Sequence, residues 1–135
     1  MLSIGVFNGY YPYGLEESVR RIREDGFSSV QLDLNFKDMD IDVEHLDRGT
    51  CHRIRDAFRG GNVQIAAITG DLNFVHPDPD TRAGNIRKMR ALLKHARDLG
   101  CGYVVSEVGT FCPTHNWTHH PKNKTEEGYR ELLPI

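Results

Sequence analysis

A chain of 135 residues with 17 Lys and Arg against 19 Asp and Glu carries a net charge of −2, which argues against the basic footprint of a nucleic-acid binder. No apolar run approaches the roughly 18 residues that a membrane-spanning helix requires, so a membrane role is not expected and the cytoplasm is the expected location. The three cysteines, Cys51, Cys101 and Cys112, are odd in number and lack CxxC spacing, and they read as reduced packing thiols.

Leu2 to Phe7 is an apolar run fit for a buried strand. Leu15, Val19 and Ile22 then fall at i, i+4 and i+7 with Glu16, Arg20, Arg21 and Glu24 between them, an amphipathic helix that stops at Gly26. Ser28 to Asn35 alternates Val30, Leu32 and Leu34 against Gln31, Asp33 and Asn35, as expected of a barrel strand whose inner face turns polar towards its C-terminal end. Phe36 to Leu46 reads as an acidic loop without clear period. Cys51, Ile54 and Phe58 form the stripe of a second helix, closed by Gly60-Gly61.

Val63 to Ile68 is a continuous run of small and branched residues typical of a parallel strand. The clearest local signal follows at Asp78-Pro79-Asp80, where an N-cap acid, a proline at the first helical position and a second acid in the first turn open a third helix. Its stripe runs through Ile86, Met89, Leu92, Leu93, Ala96 and Leu99 to a stop at Gly100. Tyr103 to Val108 is predicted as a fourth, buried strand. After a long loop, Thr125-Glu126-Glu127 starts a last helix, within which the sequence reaches Leu132-Leu133-Pro134-Ile135.

Strands alternating with helices at this spacing imply right-handed crossovers and a parallel sheet. The fold class is therefore α/β, and residues 1–135 are expected to form one unit of about four parallel βα units. Such a unit is the N-terminal half of a (β/α)8 TIM barrel, whose usual length is about 250 residues. Half a barrel exposes two parallel strand edges and its interior, so self-association through those edges is expected.

Ligands of such sheets bind at the C-terminal ends of the strands, which directs attention to four stretches. Asn8-Gly9-Tyr10-Tyr11-Pro12-Tyr13 is aromatic, with Tyr10 a candidate wall for a sugar; a loop of this kind also simply caps a barrel. Gln31, Asp33 and Asn35 either line a site or form a hydrogen-bonded network beneath it. In Thr69-Gly70-Asp71-Leu72-Asn73-Phe74-Val75-His76, Asn73 and His76 are candidate ligand contacts, with His76 alternatively bracing the turn before the third helix.

The fourth stretch holds Val105-Ser106-Glu107-Val108-Gly109-Thr110 and Trp117-Thr118-His119-His120. A carboxylate at Glu107, at the end of a buried strand, requires a cation, a donor or a ligand as partner, and it is the candidate general base. His119 and His120 are adjacent and point opposite ways on an extended segment, so only one of them is expected to contact a ligand. The spacing of His76, Glu107 and His119 matches no compact metal motif. Ser106 lacks a G-x-S-x-G elbow, and no glycine-rich phosphate loop is present.

With Val30-Gln31-Leu32, Phe36-Lys37-Asp38, the Asn73 to Asp78 turn, Ser106-Glu107-Val108-Gly109-Thr110 and His120-Pro121-Lys122-Asn123 before a Thr-Glu-Glu helix, the chain resembles the N-terminal half of the xylose isomerase-like TIM barrel family, in its sugar phosphate isomerase/epimerase branch. The resemblance implies proton transfer between neighbouring carbons of a sugar, keto-sugar or cyclitol, assisted by a divalent Mn, Mg or Co ion. It places the metal ligands mainly on strands five to eight, so this chain alone is expected to bind no metal tightly. Glu107, Asn73, His76 and His120 then map onto the substrate side of the mouth. The abasic-site endonucleases of the same superfamily place metal-binding histidines near the ends of strands three and four, where this chain reads Ala66-Ala67-Ile68-Thr69 and Val105-Ser106-Glu107. A second reading is a catalytically inert half-barrel that binds a sugar or a protein partner.

Overall fold

The computed structural model describes residues 4–115 and 117–133. Its strands are β1 (Gly5–Phe7), β2 (Ser29–Leu32), β3 (Gln64–Thr69) and β4 (Val104–Val105), and its helices are α1 (Leu15–Glu24), α2 (Arg48–Gly60), α3 (Pro79–His95) and α4 (Glu126–Leu132). The four strands form one sheet in the order β1-β2-β3-β4 with every pair parallel. This is the succession of βα units expected, and it is half of a TIM barrel. The start of the first strand at Leu2 and Ser3, and the terminal Pro134-Ile135, lie outside the described residues.

The helix stripes read from sequence are the ones that pack. Leu15, Val19 and Ile22 of α1, Cys51, Ile54 and Phe58 of α2, and Leu92 of α3 with Ala96 and Leu99 just beyond it are buried against Val30, Leu32, Ile65 and Ile68 of the sheet. Burying a large aliphatic or aromatic side chain stabilises by about 1.5–3 kcal/mol, and this single layer between helices and sheet is where that gain accrues. The caps agree as well. Asp78 accepts from the Thr81 N–H at 2.8 Å to open α3, Asp47 accepts from the Gly49 and Thr50 N–H groups to open α2, and Thr125 accepts from Gly128 N–H to open α4. All three cysteines are free and buried.

Two expectations are corrected. The fourth strand is only two residues long and is not buried: Tyr103 is 74% exposed and Val105 and Val108 are about half exposed. Its apolar run lies at the sheet edge, where Val104 alone turns into the core. Leu93 is also exposed, because Leu92, Ala96 and Leu99 already define the inward face of that helix and its continuation. The stretch from Phe36 to Leu46 is a loop, as expected, and it is anchored. Phe36 and Leu46 are buried, a 3₁₀ turn forms at Val43–His45, and Glu44 pairs with Arg87 of α3.

A register shift between Val30 and Gln31 in the β2–β3 pairing sets Gln31 opposite Ala67 rather than Ala66. From there the Gln31 Nε2 donates to Thr69 Oγ1 at 3.1 Å. This polar link lies on the face of the sheet opposite the helices, which the four units leave open.

Candidate active-site mouth

Two buried asparagines build the rim at the C-terminal ends of the strands. Asn8, directly after β1, donates from Nδ2 to the Asp33 carbonyl at 2.9 Å and accepts the Asp33 N–H on Oδ1 at 2.5 Å. Asn73, in the loop after β3, donates to the Thr110 carbonyl at 2.7 Å and accepts the N–H groups of Thr110 and Val75 at 3.2 and 3.1 Å. Each is 1% exposed, and each uses its amide as a peptide mimic that fastens one strand's end to the next. Asn123 repeats the device further out, donating to Thr110 Oγ1 at 2.8 Å and accepting the Phe111 N–H at 3.0 Å.

The expectation that Asn73 reaches a ligand is therefore replaced. Both ends of its amide are taken by backbone, and its own carbonyl accepts from Asn85 Nδ2 at 2.9 Å. Its fit against the neighbouring loop also fixes Gly109. That residue has φ +96, and a Cβ there would lie 2.1 Å from Asn73 Oδ1, so only glycine lets the loop after β4 close over the asparagine.

His76 and His120 serve local turns. The Nδ1 of His76 accepts the Asp78 N–H at 3.1 Å, and the Nδ1 of His120 accepts the Lys122 N–H at 3.3 Å while its ring lies 6.3 Å from that of Phe111. His115 does the same for the Trp117 N–H at 3.1 Å. Tyr10 is exposed and meets Phe7 edge-on, with ring centroids 5.6 Å apart. It borders a separate cleft with Tyr11, Tyr13 and Arg21 on the α1 side of β1, and the structure does not bring it to the carboxylates.

What does converge is acidic. A cleft of about 390 Å³ opens between the ends of β2 and β3, lined among others by Asp33, Asp42, Thr69, Asp71 and Lys88 over an apolar floor that includes Phe7, Leu34 and Leu72. Asp71 and Leu72 also line an adjoining crevice with Asn73, Glu107, Gly109 and Trp117. Burial raises the Asp33 carboxyl above its usual range, and the Asp71 charge adds to the shift, while the N–H groups of Asn35 and Leu34 oppose it. Glu107 is raised by the same two causes in the same order, burial and then Asp71.

Glu107 is half-buried, and among the described residues its carboxylate has neither a hydrogen-bond donor nor a cation as partner. Ser106, its neighbour, donates to the Gly70 carbonyl at 2.5 Å and so ties the end of β4 to the end of β3. A carboxyl with a raised pKa at the end of a strand, beside an exposed indole, is suited to taking a proton from carbon and to gripping hydroxyls. Asp71 and Trp117 are the partners that sequence reasoning passed over. Asp71 follows Thr69 at the two-residue strand spacing and so continues its face, which is the signal that would have found it. Trp117 carries no such signal, since only the folded loop brings it beside Glu107.

The divalent ion implied by family resemblance finds no donor set here. Among the described residues no three His, Cys, Asp or Glu side chains are grouped so as to hold a metal.

Residues 19–134 match a family described as xylose isomerase-like TIM barrel. The crystal structure of the 3-keto-D-glucoside 4-epimerase YcjR from E. coli, in its apo form, superposes with a TM-score of 0.66 at 16% sequence identity. The match covers 98% of this chain and 48% of that one, so this chain spans about half the length of the epimerase. No curated protein matches its sequence. On the match over residues 19–134, the chain belongs to the xylose isomerase-like TIM barrel family.

Proposed function

We propose that the chain supplies the first half of a sugar isomerase/epimerase-like site, holding a sugar, keto-sugar or cyclitol at the mouth while Glu107 moves a proton between neighbouring carbons. The observation that carries this reading is the unpartnered Glu107 carboxylate, sharing a crevice with Asp71 and Trp117. The indole supports stacking of an apolar sugar face, and Asp33 and Asp71 are placed to accept hydroxyl hydrogen bonds. Glu107 takes the proton beside a carbonyl because its raised pKa makes it a better base than an ordinary carboxylate. The fold likeness to an epimerase supports the same class. Among the described residues no three His, Cys, Asp or Glu side chains are grouped to hold the metal that the family resemblance implies.

The open face supports a second element of the proposal. Tyr103, Val105 and Val108 are exposed at the β4 edge, and β1 forms the other edge. Such edges favour pairing with a second copy or with further barrel strands. Light scattering at micromolar concentration is expected to give more than the 15.4 kDa of one chain; a clean monomer contradicts this. The free, buried thiols fit work in the cytoplasm, and no described helix is long and apolar enough to cross a membrane.

The binding claim is tested by titrating a ketose such as D-fructose into the isotope-labelled chain and following amide shifts. Shifts centred on Asp33, Asp71, Glu107 and the Trp117 indole are expected. Shifts confined to the cleft around Tyr10, or none, overturn the reading.

A further inference from the structure

The joined hollows at the mouth are unbalanced in charge, and the imbalance bears on which sugars they admit. Four carboxylates line them, those of Asp33, Asp42, Asp71 and Glu107, against the single ammonium of Lys88. Asp42 is itself paired with His45, and several nearby cations are held by other groups. Arg87 is paired with Glu44, and Lys122 with Glu127 and Glu131 while it lies over the Phe111 ring. Arg53 is held by Glu16 and Asp38.

The groups that grip phosphate are spent as well. At the start of α3 the Asp78 carboxylate already takes the Thr81 N–H and hydroxyl, so an anion there meets a negative charge in place of free donors. Neither hollow is lined by a guanidinium, the side chain best shaped for a phosphoryl group. What remains is a cavity of about 390 Å³ with apolar walls, such as Phe7, Leu34, Ile41 and Leu72, and acceptors for hydroxyl groups. That combination suits a ring with C–H faces and neutral hydroxyl edges.

We infer that this mouth selects uncharged polyhydroxy ligands, whether free sugars, glycosides or cyclitols, and turns away their phosphate esters. The inference rests on the sugar reading above and narrows it, since the branch the sequence resembles takes its name from sugar phosphates. The mutual repulsion that already lifts Asp33 and Glu107 through Asp71 is the same field that a phosphate dianion would meet.

The test uses the 135-residue chain and separates the field from the binding. Amide relaxation is first measured with a cationic and an anionic nitroxide of otherwise matched structure, at about 20 mM salt where screening is weak. Amides at 33–35, 71–73 and 107–109 are expected to relax several-fold faster with the cation; equal or reversed enhancement overturns the inference. D-fructose and D-fructose 6-phosphate are then titrated in parallel. The phosphate is expected to bind at least about tenfold more weakly, with the gap closing near 0.5 M salt as the Debye length falls to about 4 Å.

A phosphate that binds as tightly as the free sugar, or a gap indifferent to salt, overturns the electrostatic selection while leaving the sugar reading in place. If neither compound shifts an amide but the nitroxide asymmetry holds, the sugar reading fails and the charge of the mouth stands. Asp71→Asn removes the carboxylate shared by both hollows at an exposed position. It is expected to cut the nitroxide asymmetry by about half, and an unchanged asymmetry contradicts the assignment.

Discussion

The seam between β1 and β2 and the seam between β3 and β4 are closed by the same amide device, yet they differ in what each demands of its surroundings. At the first, Asn8 follows the strand directly and meets the end of the neighbouring strand with two hydrogen bonds. At the second, Asn73 stands four residues beyond β3 and takes three, reaching a loop that must bend through Gly109 to accept it. The first seam is strand geometry continued by a side chain. The second is a loop-to-loop fit, and it is this one that holds Asp71 and Glu107 in a common crevice. A site built on the second kind of seam is the more easily broken by changes away from its chemistry.

The largest expected effect tests that difference. Gly109→Ala places a Cβ against Asn73 Oδ1 at a left-handed φ and is expected to cost about 3 kcal/mol or more in urea unfolding. Gly26→Ala is the control, because its φ of +88 is equally left-handed but no atom lies within 4 Å of the added carbon. It should cost only about 1 kcal/mol of backbone strain. Equal losses would mean that the fit against Asn73 contributes nothing.

Next in size, Asn73→Ala strands two buried N–H groups and a carbonyl, at about 2–3 kcal/mol, whereas Asn8→Ala strands one of each at about 1–2 kcal/mol. The reverse order would break the comparison. Neither amide titrates, so both losses should be independent of pH across the mildly acidic range.

One source of acid sensitivity in the fold is Asp98, a carboxylate with three basic neighbours. The hydrogen bond from His95 first, and then the charges of Arg48 and His52, hold its carboxyl below the usual range. Its contribution is present above the unfolded value of about 4 and is lost as pH falls through the lower folded value. Asp98→Asn should flatten that part of the stability profile, measured as urea midpoint against pH, and leave the deficits of Asn73→Ala and Asn8→Ala unchanged.

Much of the fold was legible because packing repeats a pattern. The stripes of Leu15-Val19-Ile22 and Cys51-Ile54-Phe58, and the Asp78-Pro79 cap, are local signals whose partners any βα unit supplies. The reading failed where a pattern depends on a neighbour. Tyr103 to Val108 has the composition of a buried strand, but burial there needs a covering strand beyond β4. Asp33 was nominated from the alternation of its strand and Glu107 from the end of a strand expected to be buried, and the structure sets both under the influence of Asp71 although that strand is short and exposed. Asn73, His76 and His120 were nominated by their places at the strand ends, and place does not distinguish a ligand contact from an acceptor for a backbone N–H two residues on, the turn-bracing alternative already open for His76. Trp117 enters through loop packing that no local signal encodes, whereas Asp71 continues the strand phase of Thr69.

The smallest expected change is the most telling one. The account holds that Asn73 is kept for the fold and Glu107 for a ligand, so the stability of Glu107→Gln at neutral pH is the direct test. Because burial and Asp71 raise the folded pKa of Glu107, ionisation above its unfolded value works against folding. The neutral isostere is therefore predicted to unfold at the same urea concentration as the parent or slightly higher. A loss of about 1 kcal/mol or more would mean that the carboxylate holds the structure together, and its assignment as the proton-transferring group would be contradicted.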